Sequence, residues 1–289
     1  MRHLIYILAL LIAMSTTAYA TGHYVQIKND TRLYYEESGS GQTVIFVPGW
    51  TFPHDIFDRQ ISYFDKHYHV IAVDPRSQGR SPITLENNHY DQHGRDLANL
   101  IDKLRLKDVI LVGWSAGCFD AYAYIRAKGT GNLKAFVCID AQPKGAGSGA
   151  WKAPSSDHNG ADVMRALEQD RYQFTRQFAQ GMVDHPLSSD ELDWIVSQSL
   201  RTPTFVALLL LYDAVNADYQ PEAILLDRSG VPTLNVIAKP MGENATAWLN
   251  ANAPHSKIVI FGEKHLMFWE HADEFNKILN NFLISVDKK

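Results

Sequence analysis

The chain has 289 residues, of which 46% are hydrophobic and 20% are charged, and its formal net charge is −5. This composition is that of a globular protein, and the length suits one large α/β domain with a sizeable core. The sequence has no basic run that could neutralise a nucleic-acid backbone, so we expect no nucleic-acid partner. Two cysteines, Cys118 and Cys138, are too few for a disulfide framework.

Residues 1–20 have the pattern of an export signal. A short basic start precedes an apolar stretch, and a small-x-small cleavage site ends at Ala20. The apolar stretch is shorter than the about 20 residues that a membrane helix needs. We therefore expect cleavage and a mature chain, residues 21–289, that has no membrane span and is periplasmic or secreted. An uncleaved N-terminal anchor is the less favoured alternative.

Strand patterns alternate with helical patterns through most of the mature chain. The predicted strands are 24–28 and 31–36, joined by a turn at Asn29-Asp30, followed by 43–47, 69–73, 108–112, 133–139, 231–238 and 257–261. The predicted helices are 55–66, 90–104, 118–128, 243–252 and 271–284. This alternation predicts βαβ units and therefore an α/β fold, with a mostly parallel central sheet and helices on both faces.

Residues 141–229 interrupt the alternation. The stretch opens with a glycine-rich loop at 145–149 and continues with helical patterns at 161–182, 191–200 and 204–217. It predicts a helical lid inserted into a single domain. Its aromatic residues either line an apolar pocket or pack the lid helices together; they include Trp151, Phe174, Phe178, Trp194, Phe205 and Tyr212.

Residues 113–117, with the sequence Gly-Trp-Ser-Ala-Gly, lie between a predicted strand and a predicted helix. In that context Ser115 would stand on a sharp turn, and the two glycines would leave room where a Cβ atom would clash. The following helix would direct its free N–H groups and the positive end of its dipole to the same place. This stretch is typical of a nucleophile that works beside developing negative charge.

Several polar or turn-forming positions directly follow predicted strands. They are residues 48–50, Asp74, Ser115 and Asp140. Because ligands bind beyond the carboxyl ends of the strands in open parallel sheets, these positions are expected to converge on one site.

Together these motifs resemble those of the α/β-hydrolase superfamily, and the resemblance covers essentially the whole mature sequence. The matching features are residues 47–50, 74–81, the Ser115 turn, the Val231-Pro232 entry into a late strand and the late His265. The resemblance implies Ser115 as nucleophile and His265 as base, in the order serine, acid, histidine. It also implies an oxyanion hole formed by the backbone N–H groups of Trp50 and Ala116.

The acid that orients the histidine has two candidates. Many relatives carry it after the strand that corresponds to residues 231–238, where this chain has only Glu243, one position late. Other relatives, notably haloalkane dehalogenases, carry it at the end of the preceding strand, where Asp140 stands. We favour Asp140 over Glu243.

Other residues near these motifs are expected to have roles outside the reaction itself. His54 closely follows the loop that contains Trp50, which we call the oxyanion loop, and could line the pocket. Asp74, Arg76 and Ser81 are expected to hold their loop by hydrogen bonds. The two cysteines are expected to be buried free thiols, with a single disulfide as the alternative in an oxidising compartment.

No metal site and no cofactor are expected. The pairs His67 with His69 and His89 with His93 have suggestive spacing, but no carboxylate or cysteine set completes them.

The predicted activity is that of a serine hydrolase that cleaves a small carboxylic ester. Haloalkane dehalogenases and epoxide hydrolases of this fold carry an aspartate nucleophile, so Ser115 argues against both. Lactone or amide hydrolysis and perhydrolysis would use the same residues. The alternative from a different class is a non-catalytic protein that binds a small apolar ligand under the lid. Neither the oligomeric state nor the substrate follows from the sequence.

Overall fold

The computed structural model describes residues 20–27, 31–145 and 160–287. Their eight strands form one sheet in the order β1-β2-β4-β3-β5-β6-β7-β8. The strands are β1 (Thr21–Gln26), β2 (Arg32–Gly39), β3 (Thr43–Val47), β4 (His69–Asp74), β5 (Val109–Trp114), β6 (Leu133–Ile139), β7 (Thr233–Ile237) and β8 (Lys257–Ile260). β2 is antiparallel to both of its neighbours, and the other pairs are parallel. The predicted mostly parallel sheet is confirmed.

Helices follow the strands in the expected alternation. A 3₁₀ turn (His54–Phe57) precedes α1 (Asp58–Phe64), and α2 (Tyr90–Lys103) and α3 (Gly117–Lys128) flank β5 in the chain. After the insertion come α9 (Lys239–Asn252), α10 (Met267–Glu270) and α11 (Ala272–Asp287). α9 begins four residues before its predicted start, because Pro240 lies in its first turn, where a missing N–H costs nothing.

The central strands are buried on both faces, which explains their continuous apolar sequences. Val44 and Phe46 of β3 lie in one core cluster, which also contains Phe64 and Leu279 from α1 and α11. Ile45 and Val47 alternate to the other face, with side chains of α2 and α3. A period of two residues therefore divides each strand between two helical layers.

The insertion between β6 and β7 is helical. It contains α4 (Gly160–Gln169), α5 (Arg171–Gly181), α6 (Ser189–Leu200), α7 (Thr204–Asn216) and α8 (Gln220–Arg228), which we call the cap. The pattern at 161–182 predicts one helix where the structure has two, because the Asp170 side chain caps the N-terminus of α5 by accepting from the Gln173 N–H. The predicted loop at 145–149 lies outside the described residues except for Gly145, and so does the predicted turn at Asn29-Asp30.

The two cysteines form a disulfide between Cys118 on α3 and Cys138 on β6, with their Cα atoms 5.6 Å apart. The expectation of two free thiols is therefore wrong. Cys138 is the register partner of Gly113 on β5, and the Cys118 backbone lies directly over Gly113. The tight turn at Ser115 thus brings together two cysteines that are 20 residues apart.

No single helix in the described parts of the chain has both the length and the hydropathy of a bilayer span. α6 and α7 reach these limits only as a pair, with a bend of 84° between them.

Candidate active site

Ser115 stands between the end of β5 and the start of α3. Its φ of +54° lies in the left-handed region, which is strained for a residue with a Cβ atom. Its backbone N–H donates to the Ile139 carbonyl at 2.8 Å, so the neighbouring strand holds the turn in place. The predicted sharp strand-to-helix turn is present.

The glycines on either side of Ser115 are required by contact distances. A Cβ atom added to Gly113 would lie 2.6 Å from the Gly117 carbonyl oxygen. A Cβ atom added to Gly117 would lie 2.2 Å from the Val47 carbonyl oxygen of β3. Both distances are far below van der Waals contact, so the turn can pack against its neighbours only with glycine at both positions.

His265 lies between Ser115 and Asp140 and contacts both. Its Nε2 is 2.8 Å from the Ser115 Oγ, and its Nδ1 is 2.6 Å from the Asp140 Oδ2. The histidine side chain is 26% exposed and the aspartate side chain 2%. The structure thus brings His265 into contact with Asp140, which is 125 positions away in the chain, and with Ser115, which is 150 positions away.

Asp140 is held firmly in this place. It follows β6 directly with a φ of +50°, and its second carboxylate oxygen accepts a hydrogen bond of 2.8 Å from the Ala238 N–H. Glu243, the alternative acid, lies exposed on α9. Of the two candidates, only Asp140 has a described hydrogen bond to the histidine.

Trp114 supports His265 from the other side. Its indole Nε1 donates to the His265 carbonyl at 3.1 Å, and the two rings are 5.3 Å apart between centroids. Trp114 is 1% exposed, so it provides a rigid surface beneath the imidazole. Sequence reasoning missed this contact, because the tryptophan occupies a variable position of the Gly-x-Ser-x-Gly motif.

The backbone N–H groups of Trp50 and Ala116 are available for an incoming oxygen. Neither has an acceptor within residues 20–27, 31–145 and 160–287. The loop of Trp50 also lies against Ser115, since a Cβ atom built on Gly49 would be 3.1 Å from the Ser115 Cβ. Two free donors beside a serine are the arrangement that an oxyanion hole needs.

The Trp50 side chain contacts two helices of the cap. Its Nε1 donates to the Ala207 carbonyl of α7 at 2.9 Å. Its ring contacts Phe174 and Phe178 of α5 edge-on, with centroids 6.3 and 5.6 Å away. The cap thus contacts the residue whose backbone N–H is a predicted oxyanion donor.

The remaining predicted cap aromatics have different environments. Trp194 stacks on Trp269 of α10, while Phe205 is 39% and Tyr212 63% exposed. Trp151 lies outside the described residues. Of the predicted cap aromatics, only Phe174 and Phe178 have described ring contacts with Trp50.

Arg171 of α5 is a polar residue near the site that the sequence analysis did not single out. Its guanidinium lies 5.5 Å from the Trp50 ring centroid and donates to the Ser199 carbonyl at 3.1 Å. Burial lowers the pKa of Arg171 to about 10. A lone arginine within a helical pattern has no sequence signal that would mark it.

His54 belongs to a buried charge network and does not line a pocket. It is 1% exposed, and its Nδ1 lies 2.7 Å from the Asp74 Oδ1. Burial by itself would lower the pKa of His54, but the hydrogen bonds to Asp74 and Glu36 outweigh it and raise the pKa to about 10. The hydrogen bond from His54 is the main cause that lowers the pKa of Glu36 to about 2.

Asp74, Arg76 and Ser81 hold their loop, as predicted. The Asp74 Oδ2 accepts from the Arg80 N–H at 2.6 Å, and the Ser81 Oγ donates to the Asp74 carbonyl at 2.7 Å. Arg76 forms a buried two-bond ion pair with Asp96.

The spaced histidines do not share a ligand set in the described parts of the chain. The His69 Nδ1 lies 3.1 Å from the Thr43 Oγ1, and the His89 side chain caps α2 by accepting from the Gln92 N–H. His93 pairs with Asp120 in the core.

Comparison with known proteins identifies the family of the chain. Residues 44–278 match the model of the alpha/beta hydrolase family. The chain therefore belongs to the alpha/beta hydrolase family, which the sheet, the Ser115 turn and the late histidine also indicate.

Individual relatives cover nearly the whole chain. A putative non-heme chloroperoxidase from Synechocystis sp. is 26% identical over 264 residues, which span 87% of this chain and 94% of the relative. A bromoperoxidase from Bacillus anthracis superposes with a TM-score of 0.83 at 24% identity, covering 91% of this chain and 99% of that one. An esterase from Exiguobacterium antarcticum superposes with a TM-score of 0.81 at 22% identity, with coverages of 91% and 99%. These structural similarities show a shared fold.

Proposed function

We propose that this protein is a serine hydrolase that cleaves a small carboxylic ester through an acyl-enzyme on Ser115. One observation carries the proposal: the unbroken hydrogen-bonded chain from Asp140 through His265 to Ser115, with distances of 2.6 and 2.8 Å. A serine hydroxyl is a weak nucleophile at neutral pH, and an adjacent base is what activates it.

In the first half of the proposed reaction, the Ser115 Oγ attacks the ester carbonyl. His265 Nε2 accepts the hydroxyl proton, and Asp140 stabilises the imidazolium without taking up a proton itself. The tetrahedral oxygen accepts hydrogen bonds from the N–H groups of Trp50 and Ala116. One such donor contributes about 3–4 kcal/mol to the stability of the transition state.

In the second half, the same residues release the acid product. His265 passes its proton to the departing alcohol and then deprotonates a water molecule, which attacks the acyl-enzyme. The cap would limit the entry of bulk water and shape the acyl pocket. Lactones and amides would pass through the same intermediate.

Perhydrolysis is the second candidate function. The relatives named chloroperoxidase and bromoperoxidase favour it, and hydrogen peroxide would simply replace water as the second nucleophile. An assay that compares peracid formation with ester hydrolysis on one acyl donor separates the two. A ratio of peracid to acid no higher than that of the uncatalysed reaction excludes perhydrolysis.

The non-catalytic binding protein remains the alternative from a different class. Labelling of the purified protein with a fluorophosphonate probe tests it, with Ser115→Ala as the control. We expect one label per wild-type chain and none on the variant, because only an activated serine reacts. A folded wild-type protein that stays unlabelled would sink the hydrolase proposal.

We also propose that the protein acts outside the cytoplasm. The export pattern at residues 1–20 supports this, and so does the Cys118–Cys138 disulfide, since such bonds persist in oxidising compartments. Expression of the full chain in a bacterial host, followed by N-terminal sequencing, should give Thr21 as the first residue. Recovery of an intact N-terminus would contradict cleavage.

A further inference from the structure

A cluster of four ionisable side chains lies where the cap meets the core. Asp184 and His185 belong to the loop between α5 and α6, and Glu270 ends α10. One ligand atom from each of these three side chains lies within 4.8 Å of the others. His271, the next residue after Glu270, joins the group through its Nε2, which is 3.1 Å from the Asp184 Oδ2.

Glu270 is the buried centre of this cluster. Its side chain is only 1% exposed, whereas that of His185 is 46% exposed. Its Oε1 accepts hydrogen bonds from the Asp184 N–H at 2.9 Å and from the His185 Nδ1 at 2.6 Å. Its Oε2 is buried with no hydrogen-bond partner among the described residues. An unpaired buried carboxylate oxygen is costly unless a proton or a cation compensates it.

The Asp184 carboxylate adds a second acidic group that needs compensation at the same place. The carboxylates of Asp184 and Glu270 lie at short range, with one oxygen of each within 4.8 Å of the other. Two carboxylates in that position need either a shared proton or a cation between them. The His185 side chain supplies a nitrogen ligand atom of the kind that binds transition metals.

We propose that Asp184, His185 and Glu270 bind a divalent transition-metal ion of the zinc class, with a water molecule as the fourth ligand and His271 hydrogen-bonded to Asp184 beside the site. Mixed nitrogen and oxygen ligands in fourfold coordination suit Zn²⁺. Mg²⁺ and Ca²⁺ prefer all-oxygen sites, so His185 disfavours them.

The position of the site defines what the ion does. The Leu266 N–H donates to the Met182 carbonyl at 2.8 Å, so the ligand loop and the segment that follows His265 already lie side by side. An ion shared by Asp184 and Glu270 would fasten the cap to that segment. It would have a structural role, and the reaction proposed for Ser115 would need no metal.

Titration of the full chain, purified without a polyhistidine tag, with Co²⁺ and Zn²⁺ tests the proposal. We expect one ion per chain, visible absorption bands of low-coordinate Co²⁺, and a higher unfolding temperature in the presence of Zn²⁺. Glu270→Gln and His185→Ala should each weaken binding by more than about tenfold, because loss of a ligand costs at least as much as loss of a second-sphere contact.

His255→Ala is the matched control. His255 also pairs with a buried carboxylate, with its Nδ1 2.8 Å from the Asp227 Oδ2. Among the described residues, no third histidine, cysteine or acid brings a ligand atom within 4.8 Å of this pair. This variant should bind Co²⁺ as the wild type does. If the folded wild type binds no more tightly than Glu270→Gln, the proposal is overturned and a shared proton holds the two acids. Fluorophosphonate labelling of Ser115 is independent of either result.

Discussion

Ser115 and Asp140 share an uncommon backbone conformation, with φ values of +54° and +50°. Each directly follows a buried parallel strand, and each is bound to a neighbouring strand by a backbone hydrogen bond. The left-handed turn lifts the side chain out of the strand direction at the carboxyl edge of the sheet. Strain of this kind persists only where the surroundings determine it strongly, and here both strained residues contact His265.

Asp140→Asn should reduce turnover of a p-nitrophenyl ester by about four orders of magnitude. Asp140 accepts from both the His265 Nδ1–H and the Ala238 N–H, whereas asparagine has only one acceptor oxygen and no charge. The imidazole therefore loses its charge partner and can be held in the wrong tautomer. Steady-state kcat/KM measures the effect, and circular dichroism checks the fold.

Glu243→Gln is the control for that substitution. Its exposed position on α9 predicts kcat/KM within about twofold of the wild type, since exposed substitutions change little. A large loss in Glu243→Gln together with an active Asp140→Asn would reverse the assignment of the acid.

Gly117→Ala should destabilise the protein by about 3 kcal/mol or more, because its Cβ atom would collide with the backbone of β3. Gly131→Ala is the matched control, since nothing lies within 4 Å of a Cβ atom there. Urea unfolding measures both. Equal midpoints for the two variants would show that the turn relaxes freely.

At the scale of elements, specific polar contacts join the cap to Trp50 and Thr51 in the loop that follows β3. The Thr51 Oγ1 lies 2.7 Å from the Ser199 Oγ at the end of α6, and the Thr202 Oγ1 donates to the Thr51 carbonyl at 2.9 Å. With the bond from Trp50 to Ala207, three contacts connect two adjacent loop residues to α6, to α7 and to the segment between these helices. Movement of the cap would therefore displace the backbone of Trp50, which is one of the two proposed oxyanion donors.

The disulfide between α3 and β6 makes a second prediction at this scale. Cys118→Ala combined with Cys138→Ala should lower the free energy of unfolding by about 3 kcal/mol, the chain-entropy value for a loop of this size. Alanine leaves no unpaired polar atom at these two fully buried positions. Guanidinium unfolding, with and without reductant, measures the change.

Reductant should lower the wild-type midpoint and leave that of the double variant unchanged. Ellman titration of the denatured wild type without reductant should detect no thiol. Two thiols per chain would instead support the free cysteines that the sequence analysis favoured.

At the scale of the whole molecule, a charge network ties the antiparallel edge of the sheet to the core. His54 precedes α1, Glu36 lies on β2 and Asp74 ends β4, and the imidazole bridges the two acids. Arg80 completes the network through its contact with Glu36. Because His54 is buried and its pKa is raised to about 10, folding favours its protonated form.

This network predicts a loss of stability at alkaline pH. The contribution of His54 is fully present below its ordinary pKa of 6.5 and is lost as the pH rises through about 10. Between those limits the free energy of unfolding should fall by up to about 1.4 kcal/mol per pH unit. Urea unfolding at several pH values from 6.5 to 10 measures the slope.

His54→Gln should flatten that slope, whereas His255→Gln, with a side chain that is 79% exposed, should not. A wild-type slope equal to that of His54→Gln would mean that His54 is neutral in the folded protein.

Local patterns were sufficient for the elements of the sheet. The strand at residues 43–47 and the start of α2 at Tyr90 agree with prediction, because alternation, apolar runs and helical spacing are short-range signals. The Gly-x-Ser-x-Gly motif predicts its own turn for the same reason. Its two glycines are required by close contacts with residues nearby in the chain and with the adjacent strand. The sheet class and the Ser115 turn therefore follow from neighbours in the chain.

The sequence by itself determined the sheet, the turn at Ser115 and His265 as the histidine to be placed beside it. Only the tertiary structure placed Asp140, and not Glu243, against His265 and joined Cys118 to Cys138. It also buried His54 among acids and brought Asp184, His185 and Glu270 together. Each of these outcomes depends on strand order or on docking of the cap. Such contacts join residues that are far apart in the chain, and no local spacing encodes them.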